Sequence, residues 1–211
     1  MNYIQIKNIL DKIFAIIVLI ISSPILLLCI ISIIIEEPSH SPIFVQRRIG
    51  FKNKEFTIYK LRTMKTKKKE KERKLTDKER LLKTGKIFRK ASLDELPQLF
   101  NIIKGEMSFI GPRPLSIKYL PYYNEMEIKR HNVKPGITGW AQVNGRNNLN
   151  WEEKFKYDIE YVNNISFLLD LKIAFLTIYK IFKSDEVQVR GDKSGEEDFH
   201  EYRKKQSSKN E

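Results

Sequence analysis

Residues 89–114 read R-K-A-S-L-D-E-L-P-Q-L-F-N-I-I-K-G-E-M-S-F-I-G-P-R-P. An adjacent carboxylate pair, Asp94-Glu95, opens a short apolar helix that stops at Gly105, and Pro112-Arg113-Pro114 follows. Ser92 to Glu95 has the spacing of a capping box with Ser92 as N-cap. Pro97 speaks against that register, because it would fall at the fifth helical residue, where its missing N–H is needed. With Asp94 as N-cap, Pro97 falls in the first turn and no bond is lost. Either register sets Asp94 at a helix start, where free N–H groups and the helix dipole favour anions. A plain cap is therefore one role for Asp94. A catalytic role beside a phosphate is the other, and it requires Mg²⁺, arginine or both to offset the repulsion. Arg89 and Lys90 precede the pair, and Arg113 follows the helix. A guanidinium fork matches two phosphate oxygens. Mg²⁺ typically takes one or two carboxylates plus substrate phosphates, which Asp94 and Glu95 could supply. A carboxylate can also attack phosphorus directly and form an acyl phosphate. DE dipeptides are common, so the pair alone does not choose between cap and catalyst.

Towards the N-terminus, residues 13–35 are almost wholly apolar, broken by Ser22, Ser23, Pro24 and Ser32. That run has the length of a membrane helix. It is too long for a signal peptide and has no small-x-small cleavage site before Glu36-Glu37. Pro24 removes a backbone hydrogen bond mid-run, so a break is expected at Ser23-Pro24, with the serine hydroxyls serving the freed carbonyls. Each half is then about 16 Å long and cannot span alone. Basic residues flank both ends, Lys7 and Lys12 before and Arg47, Arg48, Lys52 and Lys54 after. This favours both ends on the cytoplasmic side and a re-entrant helix over a spanning one.

The 211 residues carry a net charge of +13, from 39 Lys and Arg against 26 Asp and Glu, which favours polyanionic partners. Cys29 is the single cysteine, so an intramolecular disulfide is excluded. No CxxC or CxxH cluster suggests structural zinc. Ile43 to Gln46 and Phe56 to Leu61 read as a β-hairpin with Lys60 and Arg62 at its far end, either in a site or on a solvated edge. Residues 63–83 are basic and nearly free of apolar side chains. They read as a solvated helix or loop, or as a surface leaning on anionic headgroups. Without aromatic interleaving or a nucleic-acid motif, no nucleic-acid partner is expected. Residues 116–130, 151–163 and 167–183 read as helices, and the last of these is core or membrane-facing. Gly136, Gly139 and Gly145 favour tight turns and close backbone approach. From Ser184 onward the chain reads as charged and frayed.

Several of these stretches together resemble the bacterial sugar transferase family, the small monotopic phosphoglycosyl transferases. The likeness is carried by L-D-E-L-P-Q-L-F-N-I-I-K-G-E-M-S-F-I-G-P-R-P, by Y-K-L-R-T-M at 59–64 and by K-P-G-I-T-G-W-A-Q-V-N-G-R at 134–146. It extends to W-E-E-K-F-K-Y-D at 151–158, F-L-L-D-L-K-I at 167–173 and the Ser23-Pro24 break, covering roughly residues 8–185 in order. Leu61 and Glu106 depart from the commoner Phe and Asp.

The resemblance implies transfer of a phosphosugar from a UDP-sugar to polyprenyl (undecaprenyl) phosphate, releasing UMP. Asp94 would be the nucleophile, Glu95 would help hold Mg²⁺, and Arg113 would bind phosphate. Lys60, Arg62, Arg89, Gln142 and Arg146 are further substrate-binding candidates. Asp158 and Asp170 also fall at family positions. Their alternative is a structural ion pair, because a lone carboxylate in an apolar helix such as Asp170 needs a partner.

The expected fold is α+β and mostly helical. It comprises a re-entrant N-terminal membrane helix with a Ser-Pro break (1–36) and one compact catalytic domain (37–185), built from a small β-hairpin and amphipathic interfacial helices. A charged, flexible tail (186–211) follows. The expected place is the cytoplasmic face of a bacterial inner membrane, against anionic lipid. The oligomeric state is open, a homo-oligomer included. Two other readings stand beside this one. A tethered basic scaffold would explain the charge but not Asp94-Glu95 or Pro-Arg-Pro. A glycosyltransferase transferring sugar alone would release UDP.

Overall fold

The computed structural model describes residues 2–66, 69–70, 73–145, 149–183 and 198–208. Helix α1 (Tyr3–Glu36) starts at a capping box: the Asn2 side chain accepts from Gln5 N and the Gln5 side chain accepts from Asn2 N. The helix continues through Pro24. Ser23 Oγ donates to Ile20 O at 2.8 Å, the carbonyl that a residue-24 N–H would have served. The expected exchange of a backbone donor for a serine hydroxyl is thus present at Ser23, within a helix assigned as continuous.

One face of α1 packs against the body on both sides of Pro24. Ala15 packs with Phe56, Ile58, Leu99, Ile102 and Met107. Beyond the proline, Leu26, Cys29 and Ile33 pack with Leu61, Leu82 and Phe88. Glu36 caps the helix that starts at Lys83 by accepting from Lys83 N, Thr84 N and Thr84 Oγ1. The opposite face exposes Ile9, Ile13, Phe14, Ile17, Ile20, Ile21, Leu28 and Ile35. Among the described residues, α1 is the one helix long and apolar enough to cross a membrane.

Strands β1 (Ile43–Ile49) and β2 (Glu55–Leu61) form the expected hairpin, antiparallel from Ile43↔Leu61 to Ile49↔Glu55. The basic stretch after it holds a short antiparallel pair, β3 (Lys69–Glu70) and β4 (Arg73–Lys74), and the four-residue helix α2 (Asp77–Arg80). Helix α3 (Lys83–Lys90) follows. A 3-10 helix, Leu93–Gln98, runs into α4 (Leu99–Lys104), which ends at Gly105 with φ 82°. Strands β5 (Ser108–Ile110) and β6 (Gly136–Thr138) pair in parallel. Helices α5 (Trp140–Asn144), α6 (Trp151–Asn163) and α7 (Phe167–Lys183) complete the main body.

Two expectations are corrected. Residues 116–130 do not form one α-helix but two 3-10 helices, Ile117–Tyr122 and Glu127–Asn132; Pro121 lies inside the first and lacks the N–H that a continuing α-helix would need. The C-terminal segment is not wholly frayed: α8 (Phe199–Ser207) docks on the body. Phe199 is fully buried among Tyr119, Tyr123, Trp151 and Phe155. Two aromatics in a charged stretch, Phe199 and Tyr202, supply the apolar anchor that composition alone conceals.

Candidate active site

The hairpin brings Lys60 to the pair. Strand β2 fixes the lysine's backbone, and the fully buried Asn101 of α4 fixes the strand: its amide donates to Thr57 O at 2.7 Å and accepts from Tyr59 N at 3.2 Å. Lys60 Nζ then reaches Glu95 Oε1 at 2.8 Å, and Arg113 Nη2 reaches the same oxygen at 3.2 Å. Burial pushes Glu95 up, but the Lys60 and Arg113 charges outweigh it and hold its pKa at about 2. Glu95 is therefore ionised throughout the physiological range.

Asp94 is held differently. Among the described residues it has no hydrogen-bond or ion-pair partner. Partial burial and the neighbouring Glu95 charge raise its pKa, while Lys60, Arg89 and Arg113 oppose the rise. Arg89, at the end of α3, is oriented by its Nε donating to Thr63 Oγ1 at 3.0 Å. The outcome is an open carboxylate among three cations. Ser92, not Asp94, takes the N-cap position of the 3-10 helix, but the capping box does not form. Ser92 stands before the 3-10 helix in the left-handed region at φ 54° and makes no side-chain cap bond.

Arg113 is set by backbone bonds that extend the parallel pairing of β5 and β6. Gly111 N donates to Thr138 O at 2.9 Å, and Gly136 N donates to Pro112 O at 3.0 Å. A Cβ on Gly111 would meet Lys134 O at 2.3 Å, so only glycine permits this approach. Arg130 contributes a restraint that sequence reading missed: its Nη2 donates to the Arg113 carbonyl at 2.7 Å. Within K-R-H-N it looks like surface charge, yet it is buried.

The other described candidates bond to partners outside the carboxylate pair. Arg62 donates to Ser41 O at 2.6 Å and Thr66 Oγ1 at 2.8 Å, bracing the loops beside the hairpin. Gln142 donates to Ile137 O at 2.9 Å, and no hydrogen bond links it to the pair. Arg146 lies outside the described residues. Asp158 and Asp170 take the structural ion-pair reading. Asp158 accepts from Arg130 Nε and Nη2 at 2.9 and 2.7 Å, both residues being buried. Asp170 accepts from Tyr3 at 2.6 Å and Tyr161 at 2.8 Å and pairs with Lys7 at 2.8 Å. The first pair supports Arg113 from behind, and the second ties α1 to α7. Among the described residues, no group of three or more His, Cys, Asp and Glu could hold a metal. Asp94 and Glu95 fit only an ion that takes most of its ligands from substrate and water, as Mg²⁺ does.

The carboxylate pair is thus largely buried, ringed by Lys60, Arg89 and Arg113, on a body that packs against the long apolar helix α1. The chain matches the family described as "Bacterial sugar transferase" over residues 2–184, and it belongs to that family. It is 50% identical over 175 residues to "Uncharacterized sugar transferase EpsL" of Bacillus subtilis, covering 79% of this chain and 87% of that protein. It is 38% identical over 183 residues to the Escherichia coli "UDP-glucose:undecaprenyl-phosphate glucose-1-phosphate transferase", covering 82% of this chain and 39% of that one. A similar match, 36% over 187 residues, is to the Aeromonas hydrophila "UDP-N-acetylgalactosamine-undecaprenyl-phosphate N-acetylgalactosaminephosphotransferase", covering 85% of this chain and 44% of that one. The chain thus spans about two fifths of the length of the latter two.

Proposed function

We propose that this protein is a phosphoglycosyl transferase that moves a phosphosugar from a UDP-sugar to undecaprenyl phosphate, starting a surface glycan. The observation that carries the reading is Asp94, an unpaired carboxylate among Lys60, Arg89 and Arg113, in a chain whose relatives bear names for this chemistry. An Asp94 oxygen attacks the phosphorus that carries the sugar. The bond from that phosphorus to the UMP oxygen breaks, and UMP leaves with the electron pair. An oxygen of polyprenyl phosphate then attacks the same phosphorus, and Asp94 is released as a carboxylate. Arg113 and Arg89 orient and neutralise the phosphates. Lys60 holds Glu95 and favours ionised Asp94. When bound at Asp94 and Glu95, Mg²⁺ would supply further charge neutralisation on the diphosphate.

The same reading places α1 in one leaflet rather than across the bilayer. Its 34 residues would span about 51 Å, longer than a hydrocarbon core of about 30 Å. Yet its buried face touches the body at Tyr3, Ala15, Ile33 and Glu36. A helix crossing the bilayer would drag that polar body into lipid. Bending at Pro24, with Ser23 serving Ile20 O, lets the outer isoleucines sink while both ends stay at the cytoplasmic surface.

The test is product analysis with a panel of UDP-sugars, polyprenyl phosphate and Mg²⁺. UMP and a lipid-linked phosphosugar are expected, and release of UDP would identify sugar transfer instead. Asp94→Asn is expected to lose turnover while remaining in the membrane fraction; full turnover in that variant would remove Asp94 from the nucleophile's role.

A further inference from the structure

A second group of cations lies away from Asp94, at the other end of α4. Gly105 closes that helix in the left-handed region. A Cβ there would stand 3.5 Å from Lys12 Nζ and 3.7 Å from Lys134 Nζ. The two ammonium groups thus flank one small cradle that glycine leaves open. They come from distant parts of the chain, Lys12 from α1 and Lys134 from the segment entering β6. Among the described residues neither has a hydrogen-bond or ion-pair partner.

The nearby carboxylates are engaged. Asp11 pairs with Lys7 at 3.6 Å and accepts from Ser108 Oγ at 2.6 Å. Asp170 is taken by Lys7, Tyr3 and Tyr161. Glu106 accepts from Asn101 at 2.7 Å. Burial and the Lys12 and Lys7 charges lower the Lys134 pKa, only partly offset by Asp11. Next to Lys12 on α1, Ile9, Ile13, Phe14 and Ile16 are exposed and apolar. Two like charges gathered beside an apolar face call for an anion whose other end is apolar.

We infer that Lys12 and Lys134, across Gly105, bind the phosphate of an anionic membrane phospholipid and dock α1 at the headgroup level. This rests on the reading of α1 as lipid-embedded. It adds a defined headgroup site, distinct from Asp94 and from the basic residues after the hairpin. Two ammonium groups that straddle a cradle can each donate to a different oxygen of one phosphate.

The experiment is vesicle flotation of the full chain, comparing phosphatidylcholine alone with phosphatidylcholine containing phosphatidylglycerol. Binding to phosphatidylcholine alone reports insertion of α1, and its absence would overturn the embedded reading itself. The gain on adding phosphatidylglycerol reports the headgroup site. In Lys12→Gln/Lys134→Gln that gain is expected to fall by on the order of tenfold. Lys12→Arg/Lys134→Arg is expected to keep it, as is the control Lys129→Gln/Lys156→Gln, which removes equal charge elsewhere. An unchanged gain in the Gln pair, or an equal loss in the control, would overturn the site. Retention of the gain in millimolar inorganic phosphate is expected, and its abolition would assign the cradle to a soluble anion instead. Should the double variant misfold, Lys134→Gln alone is expected to lose part of the gain, and no loss there counts against the site.

Discussion

Asp94 sits between opposing pulls. Burial and Glu95 raise its pKa, and Lys60, Arg89 and Arg113 hold it down. In the proposed mechanism attack on phosphorus needs the ionised form, so turnover is expected above the Asp94 pKa and is expected to be lost as pH falls through it. Lys60→Gln removes one restraining charge. The acid limb of the kcat/KM profile for UMP release is expected to move to higher pH; a limb that stays in place would show that Lys60 does not act on the nucleophile. Asp94, Glu95 and Arg113 were legible because they crowd into one short stretch with prolines that restrict the backbone. Lys60 was legible only as one end of a hairpin. Arg130 and Asn101 were not legible at all, because their partners, the Arg113 carbonyl and the β2 backbone, lie 17 and more than 40 residues away. Asp170 was half legible: its need for a partner follows from its apolar surroundings, but nothing local names Lys7, Tyr3 and Tyr161.

The hairpin, α6 and α7 were readable as elements because each is long enough to show its period. Strands β5 and β6 are three residues each, too short for alternation to register, yet they fix Pro-Arg-Pro. Gly111→Ala forces a Cβ to within 2.3 Å of Lys134 O, so the strands must part and Arg113 must shift. Misplacement on this scale costs about 100-fold in rate. Gly111→Ala is expected to lose that much turnover while staying membrane-bound, and wild-type turnover would show that this strand pairing does not position Arg113. Helix α8 has one fully buried ring, Phe199. Phe199→Ala is expected to destabilise the protein by about 3 kcal/mol, read as a fall in thermal midpoint in detergent. An unchanged midpoint would mean that α8 contributes nothing to the fold.

Across the whole molecule, apolar surface gathers on two helices. The outer faces of α1 and α7 expose Ile, Leu and Phe, including Phe167, Leu168 and Phe175, and Asp170 with Lys7 clamps the two helices together. In the proposed function the carboxylates Asp94 and Glu95 lie on the body that these two helices carry, within reach of both a soluble nucleotide and a lipid phosphate. The run of apolar residues was evident from sequence, whereas its packing against the body on both sides of Pro24 depends on distant elements, β2 and α4 before the proline and β2 and α3 beyond it. Tags at both ends of the chain are expected to be reachable only from the cytoplasmic face, and a tag protected there would establish a spanning helix. The central claim is that Asp94 forms a covalent phosphosugar intermediate. Purified protein incubated with its UDP-sugar and Mg²⁺, without polyprenyl phosphate, should release UMP in an amount matching the enzyme. Peptide mass spectrometry should find one phosphosugar on Asp94, removed when polyprenyl phosphate is added. An unmodified Asp94 with full turnover, or the adduct on another residue, would contradict the account.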